Sequence, residues 1–302
     1  MPQHVCVFIN DRSGAGRNTR ATIEKAFAAL DRPCQIVSLP PNANIARLVH
    51  KAAETKGAII AAAGGDGTIS AIAAALALLP PERRPPLGVL PTGTLNHFAK
   101  DLKIPQNCNE AARLIAQGTP RPIDLGEVNG HYFVNNSSLG FYPGMVLERE
   151  RLRKVGLNKW LSLLIASARA FLRFRHITLC VTPPDGPSIT CSTPFLFVGN
   201  NEYTMDGAAA GSRQHLDRGR LYLYMAPSAT RLSLIRLTAN ALLGRAHTQP
   251  DFQSLCVSSL TITLKRRIAR ISLDGEVVRV KPPIHYAIHP AAILVIAPEP
   301  TP

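Results

Sequence analysis

Residues 57–68 read GAIIAAAGGDGT, an apolar run that ends in two glycines, an aspartate, a third glycine and a threonine. The run 57–62 predicts a strand buried on both faces, and the Ala- and Leu-rich residues 69–79 predict a helix soon after it. Glycines at a strand-to-helix turn let the backbone approach a phosphate, and the start of a helix attracts anions. The stretch therefore predicts a phosphate-binding loop, and a glycine-rich connection in which Asp66 or Thr68 caps the helix is the alternative.

Short strands and helices alternate around this loop in the first third of the chain. The predicted strands are residues 4–10, 35–39, 57–62 and 87–90, and the predicted helices are residues 19–30, 45–54, 69–79 and 110–117. Short strands separated by helices are typical of βαβ units, in which a parallel sheet carries helices on both faces. Residues 1–124 are therefore predicted to form a doubly wound α/β domain.

The pattern changes after Pro120 to closely spaced strands. They are predicted at residues 123–128, 131–134, 177–181, 189–191, 195–198, 220–224, 255–264, 268–273 and 276–280. Turn sequences such as Val128-Asn129-Gly130 join them, and helical segments at 144–175 and 230–243 interrupt them. This order favours an all-β, antiparallel sandwich domain over residues 125–288 with a helical insertion. For residues 289–302, a return to the first domain stays open.

Two further turns follow predicted strands of the first domain. Residues 10–17 read NDRSGAGR and residues 91–99 read PTGTLNHFA. Because the carboxyl ends of parallel strands meet at one edge of a sheet, we expect these turns to converge with residues 64–68. They would supply backbone donors together with the side chains of Asn10, Ser13, Thr68, Thr94 and Asn96. None of the turns is a Walker A loop or a GxGxxG motif, and three independent helix caps are the alternative.

The charge balance favours anionic partners, and arginines that simply face water are the alternative for any single residue. The chain has 302 residues with 34 Lys+Arg against 20 Asp+Glu, a net charge of +14. Nucleotide phosphates, an anionic membrane surface and nucleic acid are the candidates. Nucleic acid is disfavoured, because aromatic residues make up only 6% of the chain and no helix-turn-helix or RNP-type motif is present.

The segment 148–176 is the strongest candidate for membrane contact. It mixes arginines with Trp160, Leu161, Leu164, Phe171 and Phe174. Such a mixture is suited to peripheral docking on anionic lipid. Helices that pack on the sandwich with their arginines facing water would give the same sequence pattern and are the alternative. Six scattered cysteines without a CxxC pair predict a reduced, cytoplasmic protein, and no apolar run approaches the ~20 residues that a bilayer requires.

The three turns together resemble the diacylglycerol kinase catalytic-domain family, which includes bacterial lipid kinases and the related sphingosine and ceramide kinases. GGDGT is shared with NAD kinases, whereas PTGTLNHFA resembles the lipid kinases more specifically. The resemblance continues through residues 133–141, FVNNSSLGF, and residues 273–276, LDGE, and so it extends over nearly the whole chain.

The resemblance implies a kinase that uses ATP and Mg²⁺ and transfers the γ-phosphoryl group to a lipid hydroxyl of diacylglycerol or sphingoid type. It implies that the first domain binds the nucleotide, that the second binds the lipid, and that the active site lies in the cleft between them. The implied nucleotide-binding residues are Asn10, Arg12, Ser13, Gly14, Gly64, Gly65, Asp66, Gly67, Thr68, Thr94 and Asn96.

Three carboxylates are the implied catalytic residues. Glu276 matches the proton acceptor of the family, and Asp274 would orient this base or help to hold magnesium. Asp66 would act through magnesium or maintain the shape of its loop, and the sequence does not separate these roles. Without the resemblance, residues 271–278 are an ordinary hairpin with an Asp-Gly turn.

Two positions depart from the family pattern. His97 stands where family members commonly have an aspartate, so the role of that carboxylate is missing here. Leu216-Asp217-Arg218-Gly219 stands where they often have Leu-Asp-Asp-Gly, and Arg218 would repel a cation. We therefore expect no structural magnesium at Arg218, and the metal ligands stay unassigned.

Two alternatives to a lipid kinase stay open. One is an NAD kinase-like enzyme, which shares GGDGT but not residues 92–99. The other is an inactive regulator that binds nucleotide or polyanions. The sequence identifies neither the acceptor, among diacylglycerol, monoacylglycerol, a sphingoid base, ceramide and polyprenol, nor the oligomeric state.

Overall fold

The computed structural model describes residues 4–10, 16–32, 34–40, 42–154, 158, 161–162, 165–166, 169, 176–204, 211–226 and 253–299. The predicted helix at 230–243 and most of residues 155–175 lie outside these ranges. The chain divides into two units, one of Met1–Leu125, His215–Arg218 and His289–Pro302, and one of Gly126–Gln214 and Gly219–Ile288. None of the described helices is long and apolar enough to cross a membrane.

The first unit contains a parallel sheet with the strand order β2-β1-β3-β4. Its strands are β1 (Val5–Ile9), β2 (Cys34–Ser38), β3 (Ile59–Gly64) and β4 (Leu87–Pro91). Its helices are α1 (Gly16–Ala28), α2 (Ile45–Ala53), α3 (Asp66–Ala77), α4 (His97–Asp101) and α5 (Cys108–Gln117), with a 3₁₀ turn at Pro81–Arg83. The predicted alternation of strands and helices is confirmed.

Helices cover both faces of this sheet. Val5 and Val7 of β1 share a buried cluster with Phe27 of α1 and Ile115 of α5. Successive side chains of a strand point to opposite faces, and the alternate β1 residues, including Phe8, are buried as well. Helices α2 and α3 contact each other and β3. The predicted doubly wound arrangement is therefore confirmed.

The second unit is an antiparallel sandwich. One sheet has the order β12-β11-β10-β7-β14-β15, and the other places β8 between β13 and β9. The strands are β6 (His131–Phe133), β7 (Asn136–Gly140), β8 (Ile177–Thr182), β9 (Ile189–Thr193), β10 (Phe195–Asn200), β11 (Leu221–Met225), β12 (Gln253–Val257), β13 (Ser259–Leu264), β14 (Ala269–Leu273) and β15 (Glu276–Val280). Buried residues from both sheets, such as Val181, Ile262 and Leu223, form one core. The predicted sandwich is confirmed.

Several elements differ from the sequence prediction. Residues 255–264 form two strands, not one, because β12 pairs with β11 in the first sheet whereas β13 pairs with β8 in the second. Helix α6 (Phe141–Lys154) begins before residue 144. Helix α4 and strand β7 were not predicted, and neither was β16 (Ile284–Ala297).

Two strands have residues in both units. Strand β5 (Thr119–Val128) pairs with β16 and with β6. The first half of β16 pairs antiparallel with β13, and Val295 in its second half pairs in parallel with Leu87 of β4.

Side chains of the first unit fix the second half of β16. Arg84 donates from Nη1 to the carbonyl oxygen of Ala292 at 2.6 Å. It also donates to the carbonyl oxygens of Ala77, at the end of α3, and of Leu79, at 2.8 Å and 2.7 Å. A single guanidinium thus satisfies carbonyl groups of α3 and of β16, which is the fork geometry that arginine provides.

We predict that Arg84→Met lowers the free energy of unfolding by about 2 kcal/mol, because hydrogen bonds from a charged donor are lost and the carbonyl groups keep no partner. Urea denaturation followed by circular dichroism measures the change. Arg83→Met is the matched control, since Arg83 is exposed, and it should change stability by less than ~0.5 kcal/mol. Equal effects of the two variants would contradict this role for Arg84.

Candidate functional site

The junction of β3 and α3 is a tight turn without a side-chain cap. Gly65 is the N-cap residue of α3, with φ −90° and ψ −175°, and no side chain accepts a hydrogen bond there. Gly64 must lack a side chain, because a Cβ atom on it would lie 2.5 Å from Oγ1 of Thr68. The start of α3 is therefore an uncapped helix N-terminus, which favours the binding of an anion.

The loop after β4 lies directly against this turn. The backbone N–H of Thr92 donates to the carbonyl oxygen of Gly64 at 3.1 Å. A Cβ atom on Gly93 would lie 2.3 Å from Cα of Gly65, closer than real atoms approach. The two loops thus pack backbone to backbone, and this contact requires glycine at position 93.

Asp66 binds the two loops together. Its Oδ2 accepts from the backbone N–H of His97 at 3.1 Å, and its Oδ1 accepts from the backbone N–H of Phe98 at 3.0 Å. These are the first two residues of α4, so the carboxylate caps that helix. The sequence left two roles open for Asp66, one through magnesium and one in holding the shape of its loop. These two hydrogen bonds are of the kind that the second role requires.

The end of β1 joins the same edge of the sheet. Nδ2 of Asn10 donates to Oγ1 of Thr68 at 3.2 Å, and the backbone N–H of Asn10 donates to the carbonyl oxygen of Ala63 at 3.2 Å. Thr68 is 7% exposed, within the first turn of α3. Residues 12–14, where Arg12, Ser13 and Gly14 were predicted to bind nucleotide, lie outside the described residues.

Asn96 holds the shape of the third loop. It has a left-handed backbone, with φ 51°, and is 5% exposed. Its Nδ2 donates to the carbonyl oxygen of Gly93 at 3.2 Å and to Oε1 of Gln106 at 3.0 Å. Thr94 of the same loop is exposed, and Gly67 is half-buried in the first turn of α3. The first unit thus brings together Asn10, Gly64, Gly65, Asp66, Thr68 and Asn96.

In the second unit, Asp274 is held by backbone donors. Its carboxylate accepts from the N–H groups of Val134, Asn135 and Asn136 at 2.8, 2.8 and 2.9 Å. Asp274 and Gly275 have positive φ angles of 47° and 87°, as a type I′ hairpin turn requires. Glu276, the first residue of β15, is exposed. The turn is therefore fixed to residues 134–136 through Asp274.

Sequence reasoning missed a buried polar cluster beneath this turn. Arg213, which is 2% exposed, donates to the carbonyl oxygen of Val134 at 2.7 Å and to Oδ1 of Asn135 at 2.6 Å. Its guanidinium also lies 5.3 Å from the ring centroid of Tyr203. No periodicity marks such a residue, because arginines are rarely buried and a strand pattern predicts only apolar core positions.

The described residues contain no group of three or more His, Cys, Asp and Glu side chains that could hold a metal ion. Both oxygens of Asp66 are engaged by backbone donors, as is the carboxylate of Asp274. Nη2 of Arg218 lies 3.3 Å from Nε2 of His215. The described side chains therefore do not form a site in which protein ligands alone would enclose magnesium.

Comparison with known proteins confirms the resemblance that the motifs predicted. Residues 4–128 match the family model of the diacylglycerol kinase catalytic domain. A Serratia proteamaculans protein named "Probable lipid kinase YegS-like" is 35% identical over 158 residues, 52% of this chain and 52% of that protein. A Yersinia pestis protein of the same name is 46% identical over 113 residues, which cover 37% and 38% of the two chains. The chain thus spans about half the length, or less, of these relatives.

Solved structures share this fold over 98% of the chain. The crystal structure of a diacylglycerol kinase from Bacillus anthracis superposes with a TM-score of 0.72 at 20% identity, covering 98% of this chain and 97% of that one. A second Bacillus anthracis structure has a TM-score of 0.80 at 24% identity and covers 98% and 96%. The combination of an α/β unit with an antiparallel β unit is therefore shared with these proteins.

We predict that Gly93→Ala lowers the free energy of unfolding by about 2 kcal/mol, because the new Cβ meets backbone that cannot move aside cheaply. Thermal denaturation measures the loss. Gly144→Ala is the matched control, since a Cβ atom at Gly144 of α6 meets nothing within 4 Å and alanine favours a helix. A Gly93→Ala protein as stable as the control would show that the two loops are not in contact.

Proposed function

We propose that this chain is a lipid kinase that transfers the γ-phosphoryl group of ATP to the hydroxyl of a diacylglycerol-type or sphingoid-type lipid. The observation that carries the proposal is the packing of the loops after β3 and β4 around the uncapped start of α3. These loops lie within the residues that match the diacylglycerol kinase catalytic domain. In this proposal the first unit binds the nucleotide and the second holds the lipid.

The nucleotide phosphates would lie at the N-terminus of α3. Gly65 and Gly93 pack backbone to backbone there and no side chain caps α3, so phosphate oxygens would bind the first N–H groups of this helix. Thr68, oriented by Asn10, and the exposed Thr94 add hydroxyl donors. Magnesium would enter with ATP, held by phosphate oxygens, because this ion usually keeps water and substrate ligands.

Glu276 would act as the proton acceptor. As the lipid oxygen forms its bond to the γ-phosphorus, the hydroxyl proton passes to the Glu276 carboxylate, and the bond from the γ-phosphorus to the bridging oxygen breaks to leave ADP. Glu276 is exposed, and so it is accessible to a substrate. Asp274 is assigned here to hold the turn, because backbone donors already engage its carboxylate.

We expect purified protein with labelled ATP and Mg²⁺ to transfer label to at least one member of a panel of lipid alcohols separated by thin-layer chromatography. Glu276→Gln should lower kcat by about 10²–10⁴-fold, the usual contribution of a general base. Asp185→Asn, in the exposed β8–β9 turn, is the control and should keep wild-type activity.

Three results would overturn parts of this proposal. Label in NADP rather than in lipid would identify an NAD kinase-like enzyme. Nucleotide binding without transfer to any acceptor would identify a regulator. Full activity of Glu276→Gln would remove Glu276 as the base.

We further propose that the enzyme associates peripherally with anionic membranes through a basic surface of the second unit. Six exposed residues form it: Lys265, Arg266, Arg267, Arg270, Arg279 and Lys281. Arg270 of β14 lies directly opposite Arg279 of β15, and like charges in this position repel each other. Ile268, which is 54% exposed in the turn between β13 and β14, adds an apolar contact. An anionic bilayer would offset the repulsion.

We predict that replacing Arg266, Arg267 and Arg270 together by Gln lowers binding to phosphatidylglycerol-containing vesicles by at least tenfold, because each basic residue near such a surface contributes about 1 kcal/mol. Co-sedimentation at two salt concentrations measures it, and binding should weaken at high salt. Replacing the exposed Arg83 and Arg113 by Gln is the control. Unchanged vesicle binding by the triple variant would exclude this surface, and stronger binding to nucleic acid than to vesicles would point to another partner.

A further inference from the structure

We infer that Arg213 is a positioning residue for Glu276, acting through residues 134–136 and Asp274. This inference rests on the proposed function, since it concerns the proton acceptor of that reaction. It adds a residue from a different part of the chain, 63 positions before Glu276, to the machinery of the second unit.

Arg213 fixes the segment 134–136 from one side. Its Nη1 donates to the carbonyl oxygens of Val134 and Asn200 at 2.7 and 3.0 Å, and its Nη2 donates to Oδ1 of Asn135 at 2.6 Å. Asn200 adds a second link, because its Nδ2 donates to the same carbonyl oxygen of Val134 at 3.0 Å. A planar guanidinium with several fixed donors determines the orientation of all three acceptors.

Asp274 fixes the same segment from the other side. Val134 gives its N–H to the carboxylate of Asp274 and its carbonyl oxygen to Arg213. Asn135 gives its N–H to the same carboxylate and its side-chain oxygen to Arg213. Hydrogen bonds arranged in a chain between a cation and an anion polarise one another and strengthen. The position of Asp274 therefore depends on Arg213 although the two side chains bind different atoms.

Tyr203 closes the cluster on a third side. Its hydroxyl accepts from Nδ2 of Asn136 at 3.2 Å, and its ring lies 5.3 Å from the guanidinium carbon of Arg213. The N–H of Asn136 in turn donates to Asp274. Every residue of the segment 134–136 is thus held both by Asp274 and by a member of the Arg213–Tyr203 pair.

The segment 134–136 is connected to Glu276 through a two-residue turn. Leu273 and Glu276 are paired at the end of β14 and β15, and Asp274 and Gly275 form the turn between them. The backbone N–H of Asp274 also donates to the carbonyl oxygen of Asn136 at 3.0 Å. A shift of the segment would move the turn and with it the carboxylate of Glu276, and a displacement of about 1 Å can lower a rate by ~10²-fold.

The test is a double-mutant cycle of Arg213→Lys and Glu276→Gln, with kcat measured by transfer of label from ATP to lipid. Lysine keeps the charge but not the fork, and we expect Arg213→Lys alone to lower kcat by about tenfold with an unchanged KM for ATP. In the Glu276→Gln background the same change should have no further effect, because the residue it positions is gone. Arg220→Lys, at an exposed arginine of the same unit, is the control.

A tenfold loss of kcat in both backgrounds would show that Arg213 has only a structural role, and it would overturn the inference. A wild-type kcat in Arg213→Lys would also overturn the inference. If Arg213→Lys does not fold, Tyr203→Phe, which removes only the hydroxyl acceptor of Asn136, replaces it in the cycle with the same expectation. A wild-type protein without transfer to any lipid would refute the proposed function itself and so is distinguishable from these outcomes.

Discussion

The Asp66 carboxylate joins two loops, because it accepts hydrogen bonds from the backbone of His97 and Phe98, which lie 31 and 32 residues further along the chain. One loop starts α3 and the other starts α4, and the carboxylate supplies the cap that α4 otherwise lacks. With this link in place, Gly93 can rest on the backbone of Gly65 without a side chain between them. The open N-terminus of α3, on which phosphate binding would depend, is therefore shaped by an acidic residue that itself faces backbone.

The second unit uses the same device on a different scaffold. Asp274 also precedes a glycine, and its carboxylate also accepts from consecutive backbone N–H groups, here of residues 134–136. In both units an aspartate that a motif presents as catalytic fixes one peptide segment against another. In Asp274 the backbone donors of residues 134–136 occupy three of the roughly four acceptor positions of the carboxylate, whereas Glu276, two residues further on, is exposed.

Periodicity and turn residues were sufficient to predict the layers of both units, but they failed where burial did not follow polarity. Strand β7, Asn136–Gly140, reads NSSLG and has no apolar alternation, yet Ser137 is buried and bonds to the hydroxyl of Tyr286 at 2.8 Å. Strand β16 contains Pro290 and a positive φ at Ala291, which interrupt the local pattern although pairing continues on either side. The loops were predicted because glycine marks a turn through its own backbone preference. The burial of Arg213, in contrast, arises from contacts with residues up to 79 positions away in the chain.

The positions of the lysine and arginine residues fit the same use of backbone groups in place of side chains. Residues 63–68 and 91–97 contain no lysine or arginine, so in these loops an anion would meet backbone dipoles, glycines and hydroxyl groups. Backbone donors are fixed by the fold and need no ordering of a long side chain, so an anion would bind them at a small cost in conformational entropy. The excess of basic residues is instead found on surfaces such as the paired strands β14 and β15, where Arg270 and Arg279 lie opposite each other. Loss of activity after substitution of Asp66 or Asp274 would therefore not by itself identify a catalytic group, because either change releases backbone that the site depends on.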